Sequence, residues 1–312
     1  MHVSIIVCTR NRAESLQSTM ESIGKASVPE GWIVELLVVD NGSTDHTRAV
    51  ANDARLSNAN VRYVSEPLAG LSNARNTGLR ESTGEIILFS DDDVRVPWNW
   101  IEGMCQPIID GAADAVAGGV AFPVGYASVL SQPMFSSRRN WFASTEALDR
   151  DSPGQMVGAN MGFHRRVLDR VPKFDVELGA GALGFGEESL FSLQLLAAGF
   201  KIVGALDIVV EHHFDLSRLT SATLIDSARK KGRSHAFIFH HWEHKRSRLA
   251  VPRLILCHLR RLRARFFDRD KGNVEDSISD EALNLEKELA FCREYIVQRR
   301  RGFKYVSHGI PL

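Results

Sequence analysis

Short apolar runs alternate with polar, helix-compatible stretches through the first hundred residues of the chain. This alternation is typical of βα units, in which helices connect buried parallel strands. The predicted strands are 3–7, 35–39, 61–64 and 85–89, and the predicted helices lie near 16–23, 44–54 and 72–81. The sequence therefore predicts an α/β fold with a mostly parallel sheet flanked by helices.

The character of the sequence changes twice beyond this region. From about Val116 it contains short strands and turns rich in Gly or Pro, with an irregular stretch near 126–154 that we expect to be a mobile loop. Beyond about Ser217 it consists of helical segments rich in Arg, Lys and His. We therefore predict an α/β domain over residues 1–215 and a helical C-terminal extension over 216–312.

Charge and cysteine usage argue against several classes of protein. The 312 residues include 38 Lys plus Arg and 38 Asp plus Glu, so net charge gives no reason to expect nucleic acid as a partner. The four cysteines form no CxxC pair, which favours a reducing compartment over a disulfide framework or structural zinc. No signal-peptide pattern and no apolar run of roughly 20 residues is present, so we expect a cytoplasmic protein.

Polar clusters follow three of the predicted strands, at residues 9–12, 40–45 and 91–93. Ligands bind at the carboxyl ends of strands in open α/β sheets, so these clusters are the candidate binding residues. Asp91, Asp92 and Asp93 repel one another at the end of a buried strand unless a cation neutralises them. Such oxygen ligands suit Mg²⁺ or Mn²⁺ together with substrate phosphates. The alternatives are a solvated acidic turn for 91–93 and an ordinary βα loop for 40–45.

Four motifs occur in a fixed order along this part of the chain. They are Ser-Ile-Ile-Val-Cys-Thr-Arg-Asn-Arg at 4–12, Val-Val-Asp-Asn-Gly-Ser-Thr-Asp at 38–45, Asn-Ala-Arg-Asn-Thr-Gly at 73–78, and the acidic triplet. This set resembles the family 2 glycosyltransferases, which have the GT-A nucleotide-binding fold. The resemblance implies a catalytic domain with a nucleotide-binding half, 1–115, and an acceptor half, 116–215. It also implies a nucleotide-diphosphate sugar as donor, with a UDP-sugar favoured.

The resemblance implies roles for individual residues of the first half. Thr9 and Asp40 would hold the base and ribose, while Asp91 would contact ribose or metal-bound water. Arg75 would approach a phosphate or base carbonyl, although it could instead simply decorate a helix. Asp93 would ligate the metal that bridges the diphosphate. The complete predicted nucleotide- and donor-binding set is Thr9, Arg10, Arg12, Asp40, Arg75, Asp91 and Asp92.

The second half resembles the family in two further motifs. Gly-Ala-Asn-Met-Gly-Phe at 158–163 resembles the segment that lines the donor-sugar and acceptor pocket, to which Asn160 and Glu187 are assigned. Gly-Phe-Gly-Glu-Glu-Ser at 184–189 resembles a glycine-glutamate-aspartate motif, with Glu188 where the family usually has Asp. The carboxylate is retained, so Glu188 is the predicted catalytic base. Both glutamates could instead be the favourable acids of a helix first turn.

A histidine after the apolar strand 208–210 is the second predicted metal ligand. In related enzymes a histidine at this place can complete the metal shell, and the spacing to Arg218 favours His212 over His213. The alternative is a purely structural histidine. The later histidines have irregular spacing that does not fit a zinc site; they are His235, His240, His241 and His244.

These assignments predict inverting transfer to a hydroxyl acceptor, in glycan or polysaccharide synthesis. Glu188 would remove the acceptor proton, and Mn²⁺ or Mg²⁺ would stabilise the departing diphosphate. A nucleotidyltransferase is the alternative enzyme, but it would usually have a glycine-rich phosphate loop, and residues 8–12 contain no glycine. A catalytically silent nucleotide-sugar-binding protein is the non-enzymatic alternative, against which the intact Asp91, Asp93 and Glu188 argue.

Residues 249–267 combine apolar side chains at near-helical spacing with arginines. The stripe is Leu254, Ile255, His258, Leu259, Leu262 and Phe266, and the arginines are Arg253, Arg260, Arg261, Arg263 and Arg265. Such a helix can lie in the headgroup layer of an anionic membrane, here on the cytoplasmic face beside a lipid-linked acceptor. Alternatively the stripe packs on the catalytic domain or forms a homo-oligomer, and a helix over 275–301 could cover it.

Overall fold

The fold is described from a computed structural model of the chain. It describes residues 1–131, 135, 145, 148–267 and 278–306, with the side chains of 263–267 excepted. Much of the stretch predicted to be a mobile loop, namely 132–134, 136–144 and 146–147, lies outside the described residues. The chain divides into two compact units, Met1–Val176 with Glu187–Phe214, and Glu177–Gly186 with Asp215–Leu312. The functional domain limits given above stay a prediction.

The first unit is built on a mixed sheet, which has eight strands within the described residues. The strands are β1 His2–Thr9, β2 Ile33–Asp40, β3 Asn60–Ser65, β4 Ile86–Asp91, β5 Val94–Arg95, β6 Ala115–Ala121, β7 Asn160–His164 and β8 Ile202–His212. They lie in the order β3-β2-β1-β4-β7-β6-β8-β5. The β3-β2-β1-β4 half is parallel throughout, as is the β6-β8 pair. The predicted α/β fold with a mostly parallel sheet is confirmed.

Helices accompany the strands of this sheet in the first unit. They are α1 Ala13–Gly24, α2 Thr47–Asp53, α3 Leu71–Glu81, α4 Trp100–Ile109, α5 Ala127–Leu130 and α6 Glu187–Ala197. In α1 the buried apolar residues Leu16, Met20 and Ile23 recur at helical spacing and pack in the main core with strand residues such as Ile5 and Leu36. Burial on both faces explains why β1 and β2 are apolar runs and not alternating sequences.

Two elements differ from the predicted limits for identifiable reasons. Strand β8 covers residues 202–212 where only 208–210 was predicted, because Gly204 and Asp207 interrupt the apolar pattern and a register irregularity falls opposite Gly118 and Gly119. Helix α6 begins at Glu187, two residues before Ser189, where the sequence predicts its start, so both glutamates belong to its first turn. The helix-start interpretation and the functional interpretation of these acids therefore hold together.

The second unit contains three long helices in its described part. They are α7 Ser221–His241, α8 Ala250–Phe267 and α9 Asp280–Gln298. Their common core joins Ala236 of α7, Ala250 of α8, and Phe291, Cys292 and Tyr295 of α9. Helix α7 begins at a Thr220 cap, and α9 begins at a Ser279 cap.

The predicted apolar stripe of α8 is partly buried in the three-helix core and partly exposed to solvent. Leu254 packs on the three-helix core, whereas Ile255, Leu259 and Leu262 are exposed and the Phe266 side chain lies outside the described residues. Helix α9, predicted over 275–301, therefore covers only one side of α8. Among the described helices, none combines the length and apolar character of a membrane-spanning segment.

Candidate active site

The carboxyl ends of three neighbouring strands bring the predicted polar clusters together. Thr9 of β1 lies in register with Asp40 of β2, and Cys8 lies in register with Asp91 of β4. Parallel strands end at one edge of a sheet, so residues separated by about 30 to 80 positions in sequence become neighbours there. This edge is the candidate active site.

The three adjacent aspartates have different environments. Asp92 is buried and faces the first motif, where its carboxylate accepts hydrogen bonds from Thr9 Oγ1 at 2.8 Å and Arg12 Nη1 at 2.9 Å. Burial raises the pKa of Asp92 to about 6, although Arg12 opposes the rise. In this structure Thr9 and Arg12 each bind Asp92, and these bonds connect the end of β1 and the loop after it to the loop after β4. Their assignment to the nucleotide stays a prediction.

Asp91, Asp93 and His212 form a cluster with the geometry of a metal site. One ligand atom from each residue lies within 4.8 Å of the other two. His212 reaches this position because Val94 of β5, next to Asp93 in sequence, pairs with His212 of β8. His212 is buried, and its Nε2 lies 3.2 Å from Asp93 Oδ1. The structure thus favours His212 over His213 as the candidate ligand, and it brings in Asp91 as a third.

The cluster passes a test of fit to a divalent cation. Apart from the His212 ring nitrogen at 3.2 Å, the buried Asp93 Oδ1 has no hydrogen-bond partner among the described residues, so it keeps lone-pair capacity for a cation. Burial raises the pKa of Asp93, but His212 and Arg12 together hold it below its ordinary value, so the carboxylate is charged. Two carboxylate oxygens and one imidazole nitrogen suit Mn²⁺ better than Mg²⁺, which prefers oxygen ligands alone.

Arg75 of α3 joins the metal-type cluster to the two glutamates of α6. Its Nη1 lies 2.8 Å from Glu187 Oε1 and 3.8 Å from Glu188 Oε2, and its Nη2 lies 3.9 Å from Asp91 Oδ1. The guanidinium is buried and also lies over the ring of Phe174. In this structure Arg75 is therefore paired with carboxylates, while its predicted contact with the nucleotide stays untested.

The two glutamates differ in access to solvent. The Glu187 side chain is 5% exposed, while that of Glu188 is 23% exposed and that of Asp91 is 34% exposed. Burial and the charge of Glu188 raise the pKa of Glu187 even though Arg75 opposes them. Of the two glutamates, Glu188 is therefore the one whose side chain is partly accessible to solvent.

Two residues of the Gly-Ala-Asn motif contribute to the structure around the site, Gly158 by leaving space for Arg75 and Asn160 by its hydrogen bonds. A Cβ at Gly158 would collide with Nη2 of Arg75, so glycine is required for the arginine to occupy its place. Asn160 is fully buried; it accepts from Trp100 Nε1 and donates to the carbonyls of Gly119 and Ile208, each at 2.9 Å. Asn160 thus has both amide hydrogens bonded to backbone carbonyls, while its assignment to the donor-sugar and acceptor pocket stays a prediction.

The remaining predicted nucleotide residues lie on the β1 and β2 loops. Asp40 is buried, and its carboxylate accepts from Ser43 N at 2.8 Å and Tyr63 Oη at 3.0 Å. A carboxylate offers about four lone-pair positions, so Asp40 retains acceptor capacity for a base or ribose. Arg10 is exposed at the tip of the first loop.

Sequence reasoning missed two partners of these residues. Tyr63 lies on β3 opposite Val38 of β2. Nothing in the sequence around Tyr63 indicates that its hydroxyl group donates to Asp40. The ion pair between Arg75 and Glu187 spans 112 positions, and no local pattern encodes it. Only the packing of α3 against the start of α6 places these charges together.

The mixed, mostly parallel sheet with its helices has the GT-A fold, and a cluster of metal-site geometry lies at its carboxyl edge. The chain belongs to the family described as glycosyl transferase family 2, whose family-wide sequence pattern matches residues 4–171.

Named relatives agree with this membership. The chain is 33% identical over 213 residues to the glycosyltransferase AglE of Haloferax volcanii, covering 67% of this chain and 66% of the relative. It is 34% identical over 121 residues to the succinoglycan biosynthesis protein ExoM of Rhizobium meliloti, covering 38% of this chain and 39% of the relative. The matched parts are thus just under two thirds of one relative's length and well under half of the other's.

Solved structures share the fold at low sequence identity. The mannosyltransferase PcManGT of Pyrobaculum calidifontis, in complex with GDP-Man and Mn²⁺, superposes with a TM-score of 0.59 at 18% identity, covering 96% of this chain and 86% of that one. Residues 1–349 of S. aureus TarS, in complex with UDP-GlcNAc, give a TM-score of 0.53 at 17% identity, covering 98% and 93%. At these identities the likeness establishes the fold alone.

Proposed function

We propose that the protein is a metal-dependent, inverting glycosyltransferase that moves a sugar from a nucleotide-diphosphate donor to a hydroxyl acceptor in glycan or polysaccharide synthesis. The observation that carries the proposal is the juxtaposition of Asp91, Asp93 and His212 with Glu188, through Arg75, at the carboxyl edge of the sheet. Transfer needs both a centre that stabilises a leaving diphosphate and a base for the attacking hydroxyl.

The metal centre of the proposal consists of Asp91, Asp93 and His212. These residues hold the ion, which when bound supplies positive charge to the diphosphate leaving group. Mn²⁺ is the proposed ion because of the imidazole ligand, and the presence of Mn²⁺ in the PcManGT complex is consistent with this choice. Asp93 needs no proton loss to bind the ion near neutral pH, since its pKa is held low.

Donor binding is assigned to the loops after β1 and β2. Asp40 accepts hydrogen bonds from the base or ribose, Thr9, Arg12 and Asp92 fix the loop that surrounds the nucleotide, and Arg10 is free to approach the phosphates. A UDP-sugar is the favoured donor, although related structures hold both UDP-GlcNAc and GDP-Man. The proposed donor class is therefore wider than one nucleotide.

Glu188 is the proposed general base. Its side chain is the more accessible of the two glutamates, and it accepts the proton of the acceptor hydroxyl as that oxygen attacks the anomeric carbon. Glu187 and Arg75 position it: the pair fixes the first turn of α6, and the nearby guanidinium stabilises negative charge on Glu188. A lipid-linked acceptor is consistent with one relative named glucosyl-dolichyl phosphate glucuronosyltransferase, which is 27% identical over 186 residues.

A panel of nucleotide sugars tests the proposal. Thermal unfolding of the full chain is followed with UDP-glucose, UDP-N-acetylglucosamine and GDP-mannose, each with MnCl₂ or with EDTA. We expect one donor to raise the melting temperature only with Mn²⁺, because a ligand that binds the folded state stabilises it by mass action. The absence of any Mn²⁺-dependent shift, together with the absence of Mn²⁺-dependent donor hydrolysis, would count against the proposal.

A further inference from the structure

Helix α8 carries a second apolar face, separate from the face that packs in the three-helix core. Val251, Ile255, Leu259 and Leu262 occupy positions i, i+4, i+8 and i+11, which lie on one side of a helix. Their side chains are between 42% and 58% exposed. The opposite side, with Ala250, Leu254 and Cys257, is the side directed into the second unit. Within the described residues, the outward face is therefore left to solvent.

Positive charge is concentrated around this face. Residues 245–267 contain eight Lys and Arg and no Asp or Glu, in a chain whose overall formal charge is zero. Arg253 and Arg261 are paired with Glu288 and Glu286 of α9, which anchors the inner side of the helix. Exposed positions are occupied by Arg246, Arg248 and Arg260. The outward face thus combines apolar side chains with cations and has no acidic residue of its own.

We propose that α8 docks its outward face on the surface of an anionic lipid membrane. Val251, Ile255 and Leu259 enter the boundary between headgroups and acyl chains, and the arginines at its flanks contact lipid phosphates. Phosphates supply the negative charge that residues 245–267 lack. This inference does not depend on the proposed enzymatic activity.

A second copy of the chain is a poorer occupant of the same face. A two-fold interface is formed by the same patch on both subunits, so pairing α8 with itself would bring two acid-free, highly basic segments together. Like charges across an interface disfavour association. An anionic bilayer meets the same surface with opposite charge.

Vesicle co-sedimentation of the full chain tests the inference. Phosphatidylcholine vesicles with phosphatidylglycerol are compared with pure phosphatidylcholine vesicles, at low and high salt. The variant Ile255→Glu/Leu259→Glu places two charges on the outward face. Its control, Ile33→Glu/Val124→Glu, makes the same charge change at positions that are 65% and 88% exposed in the first unit. Thermal unfolding of all proteins checks that the fold is retained.

We expect the wild type and the control variant to sediment with anionic vesicles at low salt, and much less with neutral vesicles. Ile255→Glu/Leu259→Glu should bind at least about tenfold more weakly, since two apolar side chains no longer enter the bilayer. Arg248→Gln/Arg260→Gln, which leaves the apolar face unchanged, should lose about fivefold per arginine on anionic vesicles only.

Three results would overturn the proposal. The first is wild-type protein that stays in the supernatant with anionic vesicles, and the second is equal binding of wild type and Ile255→Glu/Leu259→Glu. The third is a dimer of the wild type in vesicle-free solution, seen by light scattering, that this variant converts to a monomer. That last outcome would assign the outward face to a second copy of the chain.

Discussion

The adjacent glutamates at residues 187 and 188 have different environments although they lie in the same helical turn. Glu187 is buried against Arg75, and Glu188 is partly open. Replacing either with glutamine keeps the shape and removes the charge. The two substitutions therefore distinguish a group that takes a proton from one that holds the site together.

Glu188→Gln should lower turnover by about two orders of magnitude or more while donor affinity is kept, as expected when a general base is lost. Steady-state kinetics with the best donor and direct titration of that donor measure the two quantities. Glu187→Gln is the matched control and should lose about tenfold or less, because glutamine Oε1 still accepts from Arg75. Near-normal turnover of Glu188→Gln would contradict its assignment as the general base and would move that role to Glu187.

The ion pair between Arg75 and Glu187 should contribute to the free energy of unfolding. Arg75→Gln leaves Glu187, Glu188 and Asp91 without their shared cation, and breaking one side of a buried pair costs roughly 3 to 5 kcal/mol. The double variant Arg75→Gln/Glu187→Gln should recover part of this loss, because an unpaired buried carboxylate is removed. Urea unfolding of both single variants and the double variant gives the coupling free energy, and strictly additive losses would contradict it.

At the scale of secondary structure, β2 carries charged groups at both ends with different functions. Asp40 lies at its carboxyl end in the candidate site. Glu35 lies near the other end and accepts from Ser4 Oγ at 2.6 Å, from Thr83 N at 2.7 Å and from Arg62 Nη1 at 3.0 Å. These bonds connect β2 to β1, β3 and the turn before β4, so Glu35 stabilises the fold and takes no part in the proposed chemistry.

Glu35 should make stability depend on pH in acid. Burial raises its pKa, but the hydrogen bonds from Ser4, Thr83 and Arg62 outweigh burial and lower it from 4.5 to about 2. A depressed folded-state pKa adds stability that is complete above pH 4.5 and is lost as pH falls towards 2. Glu35→Gln should be less stable at neutral pH by about 2 kcal/mol. Urea unfolding between these pH values should show a shallower pH dependence in the variant than in wild type, and parallel curves would refute this role.

The elements also show what sequence patterns resolve and what they do not. The strands of the parallel half were predictable because doubly buried strands read as continuous apolar runs, and β1, β2 and β4 appear where those runs lie. Strand β8 was underestimated because Gly204 and Asp207 interrupt its apolar sequence. Helix α2 begins three residues after its predicted start, because the Asp45 side chain accepts a hydrogen bond from Thr47 N and forms a turn before the helix begins.

Within the site, the order of the motifs predicted which residues lie close together, but it did not predict the directions of their side chains. Asp91 and Asp93 follow one strand, and their proximity to the carboxyl edge was readable from the sequence. The inward direction of the Asp92 side chain was not, because it depends on Thr9 of β1 and on Arg12 of the loop that follows β1. The side-chain bonds of Asn160 depend in the same way on Trp100 and on the backbone of β6 and β8.

For the whole molecule, membership of glycosyl transferase family 2 rests on the pattern over residues 4–171, while the C-terminal helices have a composition of their own. The first unit holds the candidate chemistry, and the second carries the basic, apolar outward face of α8. The proposed catalysis and the proposed membrane binding can therefore be tested with separate substitutions. A loss of vesicle binding in Ile255→Glu/Leu259→Glu with unchanged turnover on a water-soluble acceptor would agree with that separation.

The central claim is that Asp91, Asp93 and His212 bind a divalent cation that is needed for donor binding. Calorimetric titration of the donor nucleotide into wild type and Asp93→Ala, each with MnCl₂ and with EDTA, tests it most directly. We expect Mn²⁺ to strengthen donor binding to wild type by at least about tenfold and to leave the donor affinity of Asp93→Ala unchanged, because the variant lacks one of the two carboxylates of the proposed metal cluster. Equal Mn²⁺-dependent affinity in the two proteins would contradict the account.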